Sequence, residues 1–298
     1  MPPGPAPDPA GPSGGRPLSL RHVANPWSNL ERPPLSPRAL SAALVREGGL
    51  WREVRVVTET GSTNEDLAAA ARDGAVDGSV LVAEAQTAGR GRLDRGGVSP
   101  PRAGLTFSVL LRPGAGVPTM RWSWLPLLAG LSVQRAVSRL AEVESWLKWP
   151  NDVLVGPRRR KVGGLLVQVV GDAAVIGVGL NVTTSNAELP RPDATSLAIE
   201  EAACADRDPL LRAILRGLAT DYQAWRSAGG DPVASGLAAG YAAACDTIGR
   251  PVRAQLPAGG AVEGVATGVD ETGRLVLRTA AGEQVLSAAD LIHLRPAD

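Results

Sequence analysis

Five short segments of this chain combine residue types that handle anions and small polar ligands. Gln86-Thr87-Ala88-Gly89-Arg90-Gly91-Arg92 interleaves glycines, which let a backbone come close to a ligand, with guanidinium forks for carboxylate or phosphate. It has neither the spacing of a Walker loop nor that of a dinucleotide-binding turn, and a flexible Arg/Gly surface loop is the alternative. Lys148-Trp149-Pro150-Asn151-Asp152 presents an amide and a carboxylate together, which suits a nucleotide or Mg²⁺, although Pro-Asn-Asp is also ordinary turn chemistry. Lys161-Val162-Gly163-Gly164-Leu165-Leu166 places an ammonium beside two glycines within a strand. Such glycines weaken a strand unless something approaches closely, and an exposed hairpin is the competing reading. Gly177-Val178-Gly179-Leu180-Asn181 repeats that pattern and ends on a residue able to read a base edge, or to close a bulged core strand. Ser62-Thr63-Asn64 can hold a small polar ligand at a helix start and can equally cap the helix.

Lysine usage sharpens the choice among these readings. Lys and Arg total 31, yet only Lys148 and Lys161 are lysine, and both fall inside these segments. In an Ala-, Gly- and Pro-rich chain that otherwise uses Arg, a surviving Lys marks a place where a compact ammonium serves and a planar fork does not. The run Arg158-Arg159-Arg160-Lys161 switches to Lys at the strand boundary, so the three arginines read as a solvated turn and Lys161 as functional.

Several chemistries are argued against. The histidines are His22, in an N-terminal stretch, and His293, near the C-terminus, which leaves no Ser–His or Cys–His nucleophile. Cys204 and Cys245 sit far apart in Ala-rich surroundings and read as small buried hydrophobes of a reduced compartment. A net charge of +1 sets up no field for nucleic acid or anionic membrane. No apolar run is long enough to span a bilayer, and no basic-then-apolar leader pattern is present, so a cytoplasmic location is expected.

The elements that must position the five segments are legible from patterning. Residues 1–40, rich in Pro, Gly and Ser, read as a disordered arm. A short helix is expected over 40–48, a strand over Val54–Thr58, and a helix opened by the Ser62/Glu65 capping box. A strand over Ser79–Ala85 leads into a long loop, 86–103. Leu105, Phe107, Val109 and Leu111 then alternate as a strand with one buried face. A helix over Arg121–Leu140, interrupted by Pro126, precedes strands at Ser145–Trp149, Val153–Val155, Val162–Val170 and Ala174–Val182. Hairpin turns at Gly156-Pro157 and Gly171-Asp172 make this part of the sheet antiparallel. Two helices start at Asp208-Pro209 and Asp231-Pro232, and from Thr247 short Gly-broken strands read as a small β-barrel.

Taken together, in this order and spacing, the five segments with Arg95 and Ser99-Pro100 resemble the biotin–protein ligase family, over roughly residues 50–298. The resemblance implies an α+β fold: a mixed, mostly antiparallel sheet with helices, like class II synthetase and biotin–lipoate ligase catalytic domains, over 41–245, and an SH3-like barrel over 246–298. It implies that Ser62, Thr63, Asn64 and Gln86 contact the ureido end of biotin, that Gly89, Arg90 and Gly91 approach it, and that Gly164 and Gly177 line its pocket. Arg92 and Lys161 would meet the reacting oxygens; with Arg90, they are the catalytic candidates. Arg95, Asn151, Leu180 and Asn181 would serve ATP, and Asp152 would help place Mg²⁺. Two positions depart from the family loop: Asp94 stands where Gly is common, and Gly97 where Trp is common, which removes an aromatic cover from the adenylate. Regulatory members carry an N-terminal helix-turn-helix, which the composition of residues 1–40 does not support.

The implied reaction has two steps. The biotin carboxylate attacks the α-phosphorus of ATP, giving biotinyl-5′-adenylate and pyrophosphate. A lysine amine of a biotin carboxyl carrier domain then attacks the acyl carbon and releases AMP, with Asp152 a candidate for accepting the amine proton. Two anions must meet, so cations have to offset their repulsion. A lipoate–protein ligase of the same fold and a non-catalytic biotin- or nucleotide-sensing module are the alternatives; turnover with pyrophosphate release separates enzyme from sensor. The lysine argument predicts that Lys161→Ala damages the chemical step far more than Arg159→Ala, which solvation of the turn would leave nearly silent. Comparing adenylation rates of the two variants checks this.

Overall fold

The structure is a computed structural model that describes residues 1, 4, 32–90, 96–189, 191–256, 259–287 and 290–293. Helix α1, Pro37–Leu44, is capped by Ser36, whose hydroxyl accepts the Ala39 N–H at 3.2 Å, and it buries Leu40 and Leu44. Strand β1 (Glu53–Val57) is followed by α2 (Thr63–Arg72), β2 (Ser79–Ala83), β3 (Gln86–Arg90), β4 (Gly96–Ser99) and β5 (Gly104–Leu111). A 3-10 turn, Thr119–Trp124, runs into α3, Leu125–Ala141. Strands β6 (Ser145–Lys148), β7 (Asp152–Val155), β8 (Arg160–Val170) and β9 (Ala173–Asn181) come next, then α4 (Arg207–Ser227) and α5 (Leu237–Ala244). The chain finishes with β10 (Pro251–Gln255), β11 (Ala261–Val269), β12 (Leu275–Thr279), β13 (Gly282–Leu286) and β14 (Asp290–His293).

Seven strands form one sheet in the order β1-β2-β5-β9-β8-β7-β6, in which only β1 and β2 run parallel. Strict alternation along β5 and β9 sends Leu105, Phe107, Val109, Ile176, Val178 and Leu180 to one face, where the main core forms with α3 and α4. Helix α2 covers part of the other face, with Leu67, Ala68 and Ala71 against Leu81, Leu110, Ala173 and Val175. The C-terminal strands form a five-stranded antiparallel sheet, β13-β12-β11-β10-β14. This is the expected α+β class with a small β-rich end. Among the described residues, no helix is long and apolar enough to cross a membrane.

The two sheets are tied through tryptophans. The Trp149 indole N–H donates to the Gly273 carbonyl at 3.1 Å, and the Trp124 indole N–H to the Glu271 carbonyl at 2.8 Å. Both rings are buried, so these donors would be costly to leave without partners.

Several expectations are corrected. Residues 32–40 do not belong to an arm: Leu35 is buried, and the Leu40/Leu44 pair, four apart on one helix face, carries α1 back across the expected boundary. The expected loop 86–103 contains a two-stranded ribbon, β3 with β4, in which Gly89 pairs with Gly97. Pro126 begins α3 instead of interrupting it, because a first-turn proline gives up no helical hydrogen bond. Asp206, not Asp208, caps α4. Asp231 closes only a turn, accepting the Val233 and Ala234 N–H groups, and α5 starts later, after Gly236. Strand β14 had no expected counterpart.

The turn arginines are not all solvated. Arg158 is exposed, but the Arg159 guanidinium lies 3.8 Å from the centre of the Trp146 ring and pairs with the buried Asp246, while Arg160 pairs with Glu200 at 2.7 Å. Arg159→Ala is therefore expected to cost stability, on the order of 1–3 kcal/mol, through lost stacking and a weakened buried carboxylate pair. A denaturant melt of this variant beside wild type measures it.

Candidate active site

The site grows from a bare patch on the α2 face of the seven-stranded sheet. Directly paired residues share a face, and the pairings Lys148↔Asp152, Asp152↔Gly164, Gly164↔Gly179 and Gly179↔Thr106 line up one row across β6, β7, β8, β9 and β5. The middle of that row has no side chains. Gly179 is exposed, and a Cβ there would meet nothing within 4 Å. The next row, Ser108↔Gly177↔Leu166, is where α2 takes over: a Cβ on Gly177 would fall 2.3 Å from Asn64 Oδ1. Gly177 thus makes room for Asn64 and does not itself open the floor. Gly163 faces the other way, where a Cβ would strike the Gly179 carbonyl oxygen at 2.5 Å, so it too must stay bare.

One end of the floor is polar and neutral. Ser62 caps α2 through its hydroxyl, which accepts the Glu65 N–H at 3.4 Å. Gln86 Oε1 accepts the Thr63 N–H at 3.0 Å and lies 3.3 Å from the Thr63 hydroxyl. The buried Ser108 hydroxyl is placed to donate to either the Thr63 hydroxyl oxygen or Asn64 Oδ1, each 2.8 Å away. Asn64 Nδ2 donates to the Leu166 carbonyl at 3.2 Å. These bonds fix four small polar side chains from α2, β3 and β5 in one corner, an arrangement able to meet a compact group that carries both donors and acceptors.

The other end is charged. A β-bulge opposite Val153–Leu154 inserts Val162 into β8, which lets Lys161 and Gly164 share the floor face although they lie three apart. Lys161 Nζ pairs with Asp152 Oδ1 at 2.5 Å, and a Cβ on Gly164 would come within 3.3 Å of that ammonium. Lys148 faces the same carboxylate. Burial lowers the pKa of its ammonium, Asp152 works against that shift, and Lys161 adds to it. The asparagines hold backbone: Asn151 Nδ2 donates to the Leu165 carbonyl at 2.8 Å, and Asn181 Nδ2 to the Thr195 carbonyl at 3.0 Å.

Thr63, Asn64, Gln86, Asp152, Lys161 and Gly164 are thus brought around one floor. Gly89 and Arg90 stand at the end of β3, on the ribbon that leaves the polar corner. Gly91, Arg92 and Arg95 lie outside the described residues. Leu180 does not join the floor: alternation turns its side chain into the main core, where it is 2% exposed. Sequence reasoning gave no role to Thr106 or Ser108, and it marked Lys148 and Gly179 by residue type without assigning either a ligand. The signal for the first two was present, since alternating Leu105 and Phe107 inward necessarily sends Thr106 and Ser108 to the opposite face.

Comparison with known proteins finds relatives along most of the chain. The biotin/lipoate A/B protein ligase family matches residues 59–181, and the biotin protein ligase C-terminal domain matches residues 247–294. The chain is 46% identical to the biotin–[acetyl-CoA-carboxylase] ligase of Mycobacterium tuberculosis, over 89% of this chain and 97% of that protein. It is 31% identical to the bifunctional ligase/repressor BirA of Bacillus subtilis, over 79% of this chain and 71% of that protein. Among solved structures, the biotin protein ligase from Aquifex aeolicus in complex with biotin and ATP superposes with a TM-score of 0.67 at 28% identity, covering 82% of this chain and all of that one. With both family segments in order along one fold, and a relative of nearly equal extent, the chain belongs to the biotin protein ligase family.

Proposed function

We propose that this chain is an ATP-dependent biotin–protein ligase, forming biotinyl-5′-adenylate and passing the biotinyl group to a lysine of a biotin carboxyl carrier domain. The observation that carries the reading is the glycine-bared floor between a neutral polar corner and a lysine–aspartate pair. Biotin has the matching polarity: a ureido head with donors and acceptors, an apolar middle that lies flat on exposed backbone, and a carboxylate at the far end. Residues 32–245 would carry the chemistry and residues 246–298 would brace it. A cytoplasmic setting fits the free thiols of Cys204 and Cys245.

In the first step, a biotin carboxylate oxygen forms a bond to the α-phosphorus, and the bond to the bridging oxygen breaks to release pyrophosphate. Lys161, which shares the floor face with Gly164, is the cation we assign to these oxygens, with Lys148 behind it; Arg90 and Arg92 are assigned to the same work by the family pattern. Approach of the phosphates would draw Lys161 away from Asp152, exchanging one anionic partner for another with little loss of charge pairing. Among the described residues, no three His, Cys, Asp or Glu side chains cluster as metal ligands. A single carboxylate such as Asp152 fits Mg²⁺ carried largely by substrate phosphates, which keeps most of its ligands as phosphate and water oxygens. When bound, that ion would neutralise phosphate charge. In the second step, the acceptor amine attacks the acyl carbon, AMP leaves, and the amine proton passes to Asp152 or solvent.

The deciding experiment incubates the protein with biotin, ATP, Mg²⁺ and a carrier domain and follows label on the carrier; transfer of lipoate in place of biotin would overturn the assignment. A finer prediction concerns Gly164→Ala. Its methyl would press on the Lys161 ammonium without touching the core, so adenylation is expected to fall about tenfold or more while the melting temperature stays near wild type. Pyrophosphate release measured beside a thermal melt checks both halves.

A further inference from the structure

A strap formed by residues just before α1 crosses the roots of the segments that border the floor. Arg32 donates through Nη1 to Glu188 Oε1 at 2.9 Å and through Nη2 to Glu188 Oε2 at 2.8 Å, and Nη2 also reaches the Thr183 carbonyl at 2.8 Å. Its own carbonyl accepts from Arg102 Nη1 at 3.4 Å. Leu35 N–H donates to the buried Glu84 at 2.6 Å, and Arg207 bridges Glu84 Oε2 at 2.7 Å and the Pro33 carbonyl at 2.6 Å. Glu84 stands two residues before Gln86, Arg102 follows β4, and Thr183 lies two residues after Asn181.

Glu188 is the hub of the far side. Besides Arg32, it accepts the Ser185 N–H and hydroxyl, both at 2.9 Å, which closes the turn after β9. These bonds, led by that from Arg32, hold the Glu188 carboxyl down at about 2, so the charged pair persists across the working pH range. Among the described residues, the stretch between β9 and α4 has no strand or helix of its own. Residues 193–198 are held by backbone bonds to Lys161, Asn181 and Val182; nearer β9 the course is set by such side-chain ties and by the Ala103 carbonyl, which accepts the Thr183 N–H at 2.8 Å.

We propose that Arg32 is a positioning residue for the nucleotide half of the site: it fixes the segment after Asn181 in its binding-competent course before ATP arrives. This rests on the ligase reading above, in which Asn181 and its neighbours serve the nucleotide. The polar corner is anchored instead by bonds among α2, β3, β5 and the Leu166 carbonyl of β8, so biotin binding should not depend on this residue. A segment that must order on binding weakens apparent affinity by the fraction of time it is already in place.

The test compares Arg32→Ala, Arg32→Lys and Glu188→Gln with wild type. Arg32→Ala and Glu188→Gln are expected to raise KM for ATP about tenfold, leaving KM for biotin and kcat within about twofold, because a bidentate charged pair is lost at one side of the site only. Arg32→Lys, which cannot fork across both carboxylate oxygens, should fall between. Amide hydrogen exchange over residues 183–189 should quicken in both severe variants, with exchange in α2 and β5 unchanged. Parallel rises in both KM values would indicate general loosening and overturn the proposal. Faster exchange with an unchanged KM for ATP would overturn it too, leaving the ligase reading intact. A wild-type protein that consumes no ATP with biotin would defeat both.

Discussion

A β-sheet ordinarily clothes both faces with side chains, and everything proposed for this protein depends on a place where one face is left naked. Gly164 and Gly179 stand side by side on adjacent central strands, so a flat ligand can rest on peptide planes. Glycine is unfavourable inside strands because it brings no packing and loses more chain entropy on folding. The sheet tolerates it because the opposite face is heavily packed: Leu105, Phe107, Ile176, Val178 and Leu180 are all buried under α3 and α4. Stability is concentrated on one side, and the other is free to bind.

The two ends of that patch follow different physical rules. At the neutral end, Thr63, Asn64 and Ser108 are buried and bond to one another and to the half-buried Gln86, which limits the cost of desolvation and gives each a fixed direction. At the charged end, burial works against the ammonium of Lys148, and a single carboxylate stands between two lysines. An anion arriving there meets cations already partly stripped of water, where electrostatic attraction is stronger than in bulk solvent.

Much of this was legible in the sequence because it follows from period and residue type. Two-residue alternation gave β5 and its buried face, glycine turns gave the β8–β9 hairpin, and lysine scarcity singled out Lys161. What escaped depended on three-dimensional register. The bulge at Val162 cannot be read from a string of letters, yet it alone brings Lys161 onto the face of Gly164. The structured residues before α1 escaped because a Pro-rich composition hid the few side chains, Arg32 and Leu35, whose partners lie far along the chain. The direction of the Leu180 side chain, into the main core, follows from alternation with Asn181, since neighbours in a strand look in opposite directions.

The joint between the sheets has its own consequence. Trp149 sits between Lys148 and Asn151 in sequence, but its indole is hooked on the Gly273 carbonyl of the C-terminal sheet. A genetic screen would accordingly misfile lesions in that distant turn. They would behave like damage to the catalytic row, since shifting the hook tilts the strand ends that present the lysine and the aspartate.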